Sequence, residues 1–138
     1  MLKRYFAPRK EDAFTFLRVV TGFSFAFHGL QKIFGFQFPA DKLPEIWSQG
    51  WFGGIIELVT GLAMAAGAFT AWAAFLASGT MAVAYVQFHW KLDFGVRFFP
   101  PVNKGELALV YSALFLYFAC RGAGKWSVDS LLTGRKSR

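Results

Sequence analysis

Residues 46–90 read IWSQGWFGGIIELVTGLAMAAGAFTAWAAFLASGTMAVAYVQFHW, and Glu57 is the only formal charge among them. A membrane-crossing helix takes about 20 mostly apolar residues. The uncharged run from Leu58 to Trp90 is too long for one such helix, and with the residues before Glu57 it holds two. The break belongs at Gly67–Ala68–Phe69–Thr70, where a tight turn can form without charge. Helices over about 51–68 and 71–90 follow.

Charge is scarce in two further stretches. Arg18 is the only formal charge from Ala13 to Gln31, and there is none from Leu107 to Cys120. These predict helices over about 12–34 and 104–122, with Glu106 in the first turn of the last. The expected architecture is an all-α, integral membrane four-helix bundle, a single transmembrane domain over 1–138 with basic tails at 1–11 and 123–138. Composition points the same way. Charged residues are 17% of the chain and apolar ones 55%, whereas soluble domains carry about 25% charged residues. Cys120 is the only cysteine, which excludes a disulfide scaffold.

The net charge of +7 indicates basic anchors beside membrane spans rather than a nucleic-acid partner. Lys3, Arg4, Arg9, Lys10, Arg121, Lys125, Arg135, Lys136 and Arg138 lie in the tails, while Lys32, Lys42, Lys91, Arg97 and Lys104 lie in the two longer connections. This imbalance places both tails on the cytoplasmic side, and an even number of spans requires the tails to share a side. The first apolar stretch is long, is interrupted by Arg18 and lacks a small-residue cleavage site, so it reads as a retained span rather than a signal peptide.

Each helix has one face that carries its polar residues. On the first, Arg18, Thr21, Phe25, His28 and Lys32 share an arc, and Phe16, Phe23, Phe27 and Phe34 lie away from it and suit lipid. On the second, Gly53, Glu57, Gly61, Met64 and Ala68 form a stripe whose small residues would let helices approach closely, within the bundle or in a homo-oligomer. Ser78, Ala82, Tyr85 and His89 align on the third, and Glu106, Val110, Ala113 and Tyr117 on the fourth. With the tails inside, His28, Lys32, Glu57, His89 and Glu106 converge on the outer half of the membrane. Isolated charges there are expensive and should face one another or a wet cavity. These five, with Tyr85, are the candidate lining of a ligand cavity. The inner half keeps Arg18, with Asp129 as its expected ion-pair partner. Phe27-His28 and Phe88-His89 each end a helix, and Glu57-Leu58 and Glu106-Leu107 each open one, a pattern that suggests a two-hairpin internal repeat.

Taken singly, these residues have plain structural accounts. His28 and His89 suit a membrane boundary, Lys32 can snorkel, and Glu106 complements the positive end of its helix. Glu57 resists such an account because it sits deeper in an uncharged stretch. As a set, a histidine and a carboxylate are natural acid–base partners for a reduced quinone. His28, Glu57, His89 and Glu106 are also metal-ligand types, but no His-x-x-x-His or Glu-x-x-His spacing supports a metal. Thiol chemistry is disfavoured by a single Cys120 near the inner face. No phosphate loop, dinucleotide fingerprint or covalent haem motif occurs.

Several segments, in order, resemble the DoxX family. Phe27-His28-Gly29-Leu30-Gln31-Lys32 resembles the HG-x-x-K element that closes its first helix. Gly54-Ile55-Ile56-Glu57, followed by Gly61 and Gly67, resembles its second helix, and the polar end of the third at His89 also fits. Asn103-Lys104-Gly105-Glu106-Leu107-Ala108 resembles the N-x-GE element opening the fourth helix, and Gly122-Ala123-Gly124-Lys125-Trp126-Ser127-Val128-Asp129 the closing G-x-G-x-x-S-x-D. The resemblance runs from about Phe16 to Asp129. It implies a small multi-pass protein of a prokaryotic cytoplasmic (inner) membrane. Some relatives are subunits of a thiosulfate:quinone oxidoreductase, and others are linked to membrane oxidoreductase assemblies in oxidative-stress defence. The lack of a second cysteine departs from a self-contained dithiol mechanism. The expected function is a membrane subunit of a redox system that interacts with quinone or a partner oxidoreductase. The alternatives are a small proton-coupled transporter or channel built on Glu57, and a structural or assembly protein without a small-molecule site.

Overall fold

The computed structural model describes residues 2–37 and 43–134. Lys42, Arg135, Lys136 and Arg138, which enter the charge balance above, lie outside the described residues. Among the described residues the chain is helical and contains no strand. Helix α1 (Lys10–Phe34) continues in line from a short helix at Leu2–Phe6 and a 3-10 turn at Ala7–Arg9. It is followed by α2 (Gln49–Ala66), α3 (Thr70–Ala84), α4 (Glu106–Arg121) and the short α5 (Val128–Leu132). A wide π-helical segment, Tyr85–Trp90, extends α3. Leu2–Phe34 and Thr70–Trp90 are long and apolar enough to cross a membrane.

Local chemistry sets the helix ends. The Ser48 hydroxyl accepts a hydrogen bond from the Trp51 N–H at 3.2 Å and caps α2, as the free N–H groups of a helix start require. Gly67 closes α2 in the left-handed conformation, φ 71°, where a side chain is unfavourable. Its neighbour Phe69 is also left-handed, φ 48°, so the turn from α2 to α3 is compact and partly strained.

The closest packing in the fold is between α1 and α2, where backbone meets backbone. A Cβ on Gly22 would stand 2.6 Å from the Ala65 nitrogen, and one on Gly61 would stand 2.5 Å from the Ala26 nitrogen. Gly29 meets Leu58 and Gly54 in the same way further along. Small residues at these positions bring the two helix axes together and so increase the dispersion contact between them. The stripe on α2 differs in one respect from its expected form. Gly54, Gly61 and Ala65 face α1, whereas a Cβ on Gly53 would meet nothing within 4 Å. Gly54 and Gly61 are therefore taken up by the contact with α1, and Gly53 is not.

Aromatic rings join α1 to α4. Phe25 lies 4.8 Å from Phe115 and Phe14 5.3 Å from Phe118, both edge to face. Across from them α3 presents Ala73, Ala74 and Ala77, so large rings fill the space left by small residues. The inner row of α4 is Ala108, Tyr111, Phe115 and Phe118. This corrects the face expected from sequence, because Glu106, Val110, Ala113 and Tyr117 are exposed. On α3, Ser78 is buried and donates to the Ser112 carbonyl at 2.8 Å, but Ala82 is exposed. In both helices a polar residue near the end misled the choice of face. The core here is defined by ring volume, not by polarity.

Arg18 and Asp129 occupy the same corner, but each serves a different helix end. Arg18 is fully buried, donating from Nη1 to the Met64 and Ala65 carbonyls at 2.5 and 2.9 Å and from Nη2 to the Trp126 carbonyl at 2.9 Å. It thereby satisfies carbonyls that the C-terminus of α2 leaves without partners. The Asp129 carboxylate accepts from the Phe69 and Thr70 N–H groups at 2.7 and 2.9 Å, an anion at the positive start of α3. The expected Arg18–Asp129 ion pair is thus replaced by two caps, because each charge finds backbone partners at the end of opposite sign. Ser127, buried against Gly67, caps α5 by accepting from the Ser130 N–H.

The glycine seam makes a direct prediction. Gly61→Ala forces a methyl onto the α1 backbone and should destabilise the protein by about 1–3 kcal/mol. Gly53→Ala meets no atom and should be neutral or slightly stabilising. Reversible unfolding of the two variants in the same detergent compares them.

Candidate functional site

The α1–α2 seam continues past Gly29 to a cavity at the end of the helices remote from the described termini. At Gly54 the missing side chain matters, since a Cβ there would stand 2.8 Å from the Lys32 Cβ. The Lys32 stem therefore lies across α2, and its Nζ reaches Glu57 Oε1 at 2.5 Å. The two partners differ in environment, with side-chain exposure of 37% for Lys32 and 3% for Glu57. The second carboxylate oxygen, Oε2, is buried and has no hydrogen-bond partner among the described residues. A buried carboxylate with one free oxygen is costly unless another donor reaches it.

The pair lines a cavity of about 600 Å³, together with His28 and Phe25 of α1, residues of α2 and α3, and Ala108 and Tyr111 of α4. This volume lies within the range of small-molecule sites, roughly 300–1,000 Å³. His28 is half-buried and stands edge-on to the Tyr111 ring, 6.4 Å between centroids. His89 reaches the cavity from the π-helical segment, and its Nδ1 lies 3.2 Å from the Asn103 carbonyl. A carbonyl only accepts, so Nδ1 carries the proton in this contact and Nε2 of the neutral ring is an acceptor.

Of the six residues expected to line a cavity, His28, Lys32, Glu57 and His89 line this one, and Tyr85 and Glu106 do not. Tyr85 turns to the Asn103 side chain, 3.4 Å from its hydroxyl, and stacks on Trp90. Glu106 is exposed and lines a separate surface cleft with Pro100, Pro101 and Lys104. The reason is its neighbour. Gly105 is buried with its hydrogen toward the His89 and Tyr85 side chains, where a Cβ would stand 2.6 Å from the His89 Cβ. One residue on, about 100° around the helix, Glu106 must point away. Asn103 completes this docking by donating to the Arg97 carbonyl and accepting from the Gly105 N–H at 2.7 Å. Its place in the N-x-GE segment is therefore structural.

Tyr111, Lys104 and Gln49 also line the cavity and were not singled out from the sequence. Tyr111 lies on the inner row of α4, which its spacing from Phe115 and Phe118 could have marked. Among the described residues no three His, Cys, Asp or Glu side chains gather as around a metal ion. Cys120 is exposed near the opposite end of α4. What the arrangement offers is hydrogen-bond donors on Lys32, acceptors on Glu57 and His89, and an imidazole at His28, set in apolar walls. Such a set can hold and exchange protons with a small ring bearing carbonyl or hydroxyl oxygens.

Residues 13–90, from α1 to the end of the π-helical segment, match the family model DoxX. An uncharacterized protein of Haemophilus influenzae is 40% identical over 119 residues, which covers 83% of this chain and 87% of that protein. No solved structure matches the chain.

The unequal burial of the ion pair makes the two partners unequal under substitution. Lys32→Met leaves a buried carboxylate without its cation, and removing one partner of a buried pair costs about 3–5 kcal/mol. Glu57→Gln leaves a lysine that can turn to solvent, and should cost clearly less. Unfolding of both variants in detergent tests the asymmetry.

Proposed function

The chain belongs to the DoxX family, and from this premise we propose that it is a membrane subunit of a redox system that holds a quinone-type ring in the cavity at Lys32 and Glu57. In this reading all four long helices cross a prokaryotic cytoplasmic membrane, with both tails on the cytoplasmic side and the cavity in the outer half. The lateral faces support it, since Phe16, Phe23, Val59, Leu62, Phe75, Leu76 and Leu116 are exposed apolar side chains along the helices. Helices α2 and α4 have 18 and 16 residues. At about 1.5 Å per residue they approach the roughly 30 Å hydrocarbon core, and a bilayer thins to meet a short span.

The observation that carries the reading is the buried Glu57 carboxylate, with one oxygen on Lys32 and the other without a partner among the described residues, at the wall of a largely apolar cavity of about 600 Å³. A quinone, when bound, supplies two-electron, two-proton chemistry. The residues of this chain would bind and orient it. Lys32 would donate to a ring oxygen, Glu57 and His28 would hold the protons exchanged there, and Tyr111 and Phe25 would supply apolar wall beside the ring. The electrons would come from a partner oxidoreductase. A proton-coupled transporter would use the same free carboxylate, and proton-dependent flux in proteoliposomes distinguishes it.

Quinone that copurifies with the protein, measured after solvent extraction, is the test. Glu57→Gln removes a charge-assisted contact and should lower retained quinone about tenfold or more. Undiminished quinone in this variant would contradict the reading.

A further inference from the structure

The cavity lining is of two chemical kinds. Lys32, Glu57, His28 and His89 bring polar groups to it. Phe52, Gly53 and Ile56 of α2 and Gly79, Val83 and Phe88 on the third helix and its π-helical extension bring apolar surface. Phe52, Val83 and Phe88 are exposed on the flank of the protein, 47%, 46% and 56%. They continue the apolar surface made by Val59 and Leu76 rather than facing the polar helix ends. Gly53 and Gly79 are unlike the seam glycines, because a Cβ on either would meet no atom within 4 Å. They do not serve helix contact. They keep a gap open between α2 and α3.

That gap has a frame. At one end α2 and α3 are joined by the compact turn at Gly67–Phe69, which Asp129 ties down. At the other, Gln49 at the start of α2 donates to the Gln87 side chain beside His89 at 2.6 Å. The cavity between these ties is lined by apolar side chains of α2 and α3 together with Glu57. A polar pocket reached through an apolar opening on a bilayer-facing flank suits an amphipath already dissolved in the membrane.

We propose that the cavity is reached from the bilayer through a lateral window between α2 and α3. Its ligand is a membrane-dissolved amphipath whose polar ring meets Lys32 and Glu57 and whose apolar tail lies in the window at Gly53 and Gly79. The ligand assignment rests on the binding reading above, whereas the window does not. Gln49–Gln87 ties the rim on the side where a water-soluble ligand would enter, so tail length, not only ring chemistry, decides what binds.

Two measurements on the full chain in lipid nanodiscs test this. The first uses spin labels at Gly53→Cys and Gly79→Cys in a Cys120→Ser background. Relaxation by dissolved oxygen should exceed relaxation by a water-soluble nickel chelate at both sites, and the reverse order overturns the window whatever the ligand is. The second compares binding of an isoprenoid-tailed quinone with its tailless ring analogue. Gly53→Leu and Gly79→Leu place side chains where a Cβ meets no atom within 4 Å among the described residues. Displacing about two methylenes of tail should weaken the tailed quinone about tenfold, with the tailless ring within about twofold of its wild-type value. Glu57→Gln should weaken both. If the leucine variants leave tailed binding unchanged, the window holds only lipid acyl chains and the tail assignment fails. If neither quinone binds the wild-type protein, the quinone reading and the tail assignment with it fail, and the spin-label result still decides the window.

Discussion

The contact on which the rest of the structure depends is the glycine seam between α1 and α2. Contact between two apolar helices is strengthened most by close approach of their backbones. Gly22, Gly29, Gly54 and Gly61 provide it by letting one backbone lie on the other. The seam also fixes the register of α1 against α2. Given that register, Arg18 arrives at the last carbonyls of α2, and Lys32, about four turns further along α1, arrives at Glu57. Both contacts are long-range in sequence and neither could be made if the helices stood apart.

Two charges at the far corner follow one rule, and Glu57 does not. Arg18 sits at the negative end of α2 and Asp129 at the positive end of α3, so each is neutralised by backbone groups that need a partner in any case. Their satisfaction costs the protein nothing it could otherwise use. Glu57 breaks this rule. It lies in the middle of a helix, where the backbone has no free donor to give it, and only one of its oxygens is met by Lys32. Arg18 Nε and Glu57 Oε2 both lack a partner among the described residues, but of the two residues only Glu57 lines the cavity.

The helices themselves were legible because charge is costly in the apolar stretches and so marks their limits. The polar ends of α1 and α2 were legible too, since Lys32 and Glu57 are ionisable residues at one depth. The inward face of α4 was not. When both faces of a helix are apolar, periodicity of polarity says little, and Glu106 drew attention to a face that is exposed. Its exclusion depends on Gly105 packing against the third helix, a tertiary fact with no local signal. The π-helical segment at Tyr85–Trp90 was equally invisible, and it is what sets the outlook of His89. Gly53 and Gly54 are adjacent and identical, yet one is buried in the seam and the other borders open space. Only the direction of approach of α1 separates them.

The tie made by residues 126–129 has a consequence for how the molecule is completed. Trp126 and Asp129 supply partners for Arg18 and for the start of α3, both of which lie far earlier in the chain. Chains are synthesised from the N-terminus. Until those last residues emerge, the guanidinium lacks one of its carbonyls and the strained turn at Phe69 lacks its anion. The α1–α2 seam, made of residues 22–65, can form well before that. The glycine contact needs nothing from the tail, whereas the far corner does, so a polypeptide stalled short of Asp129 would carry an open corner that finished molecules do not display.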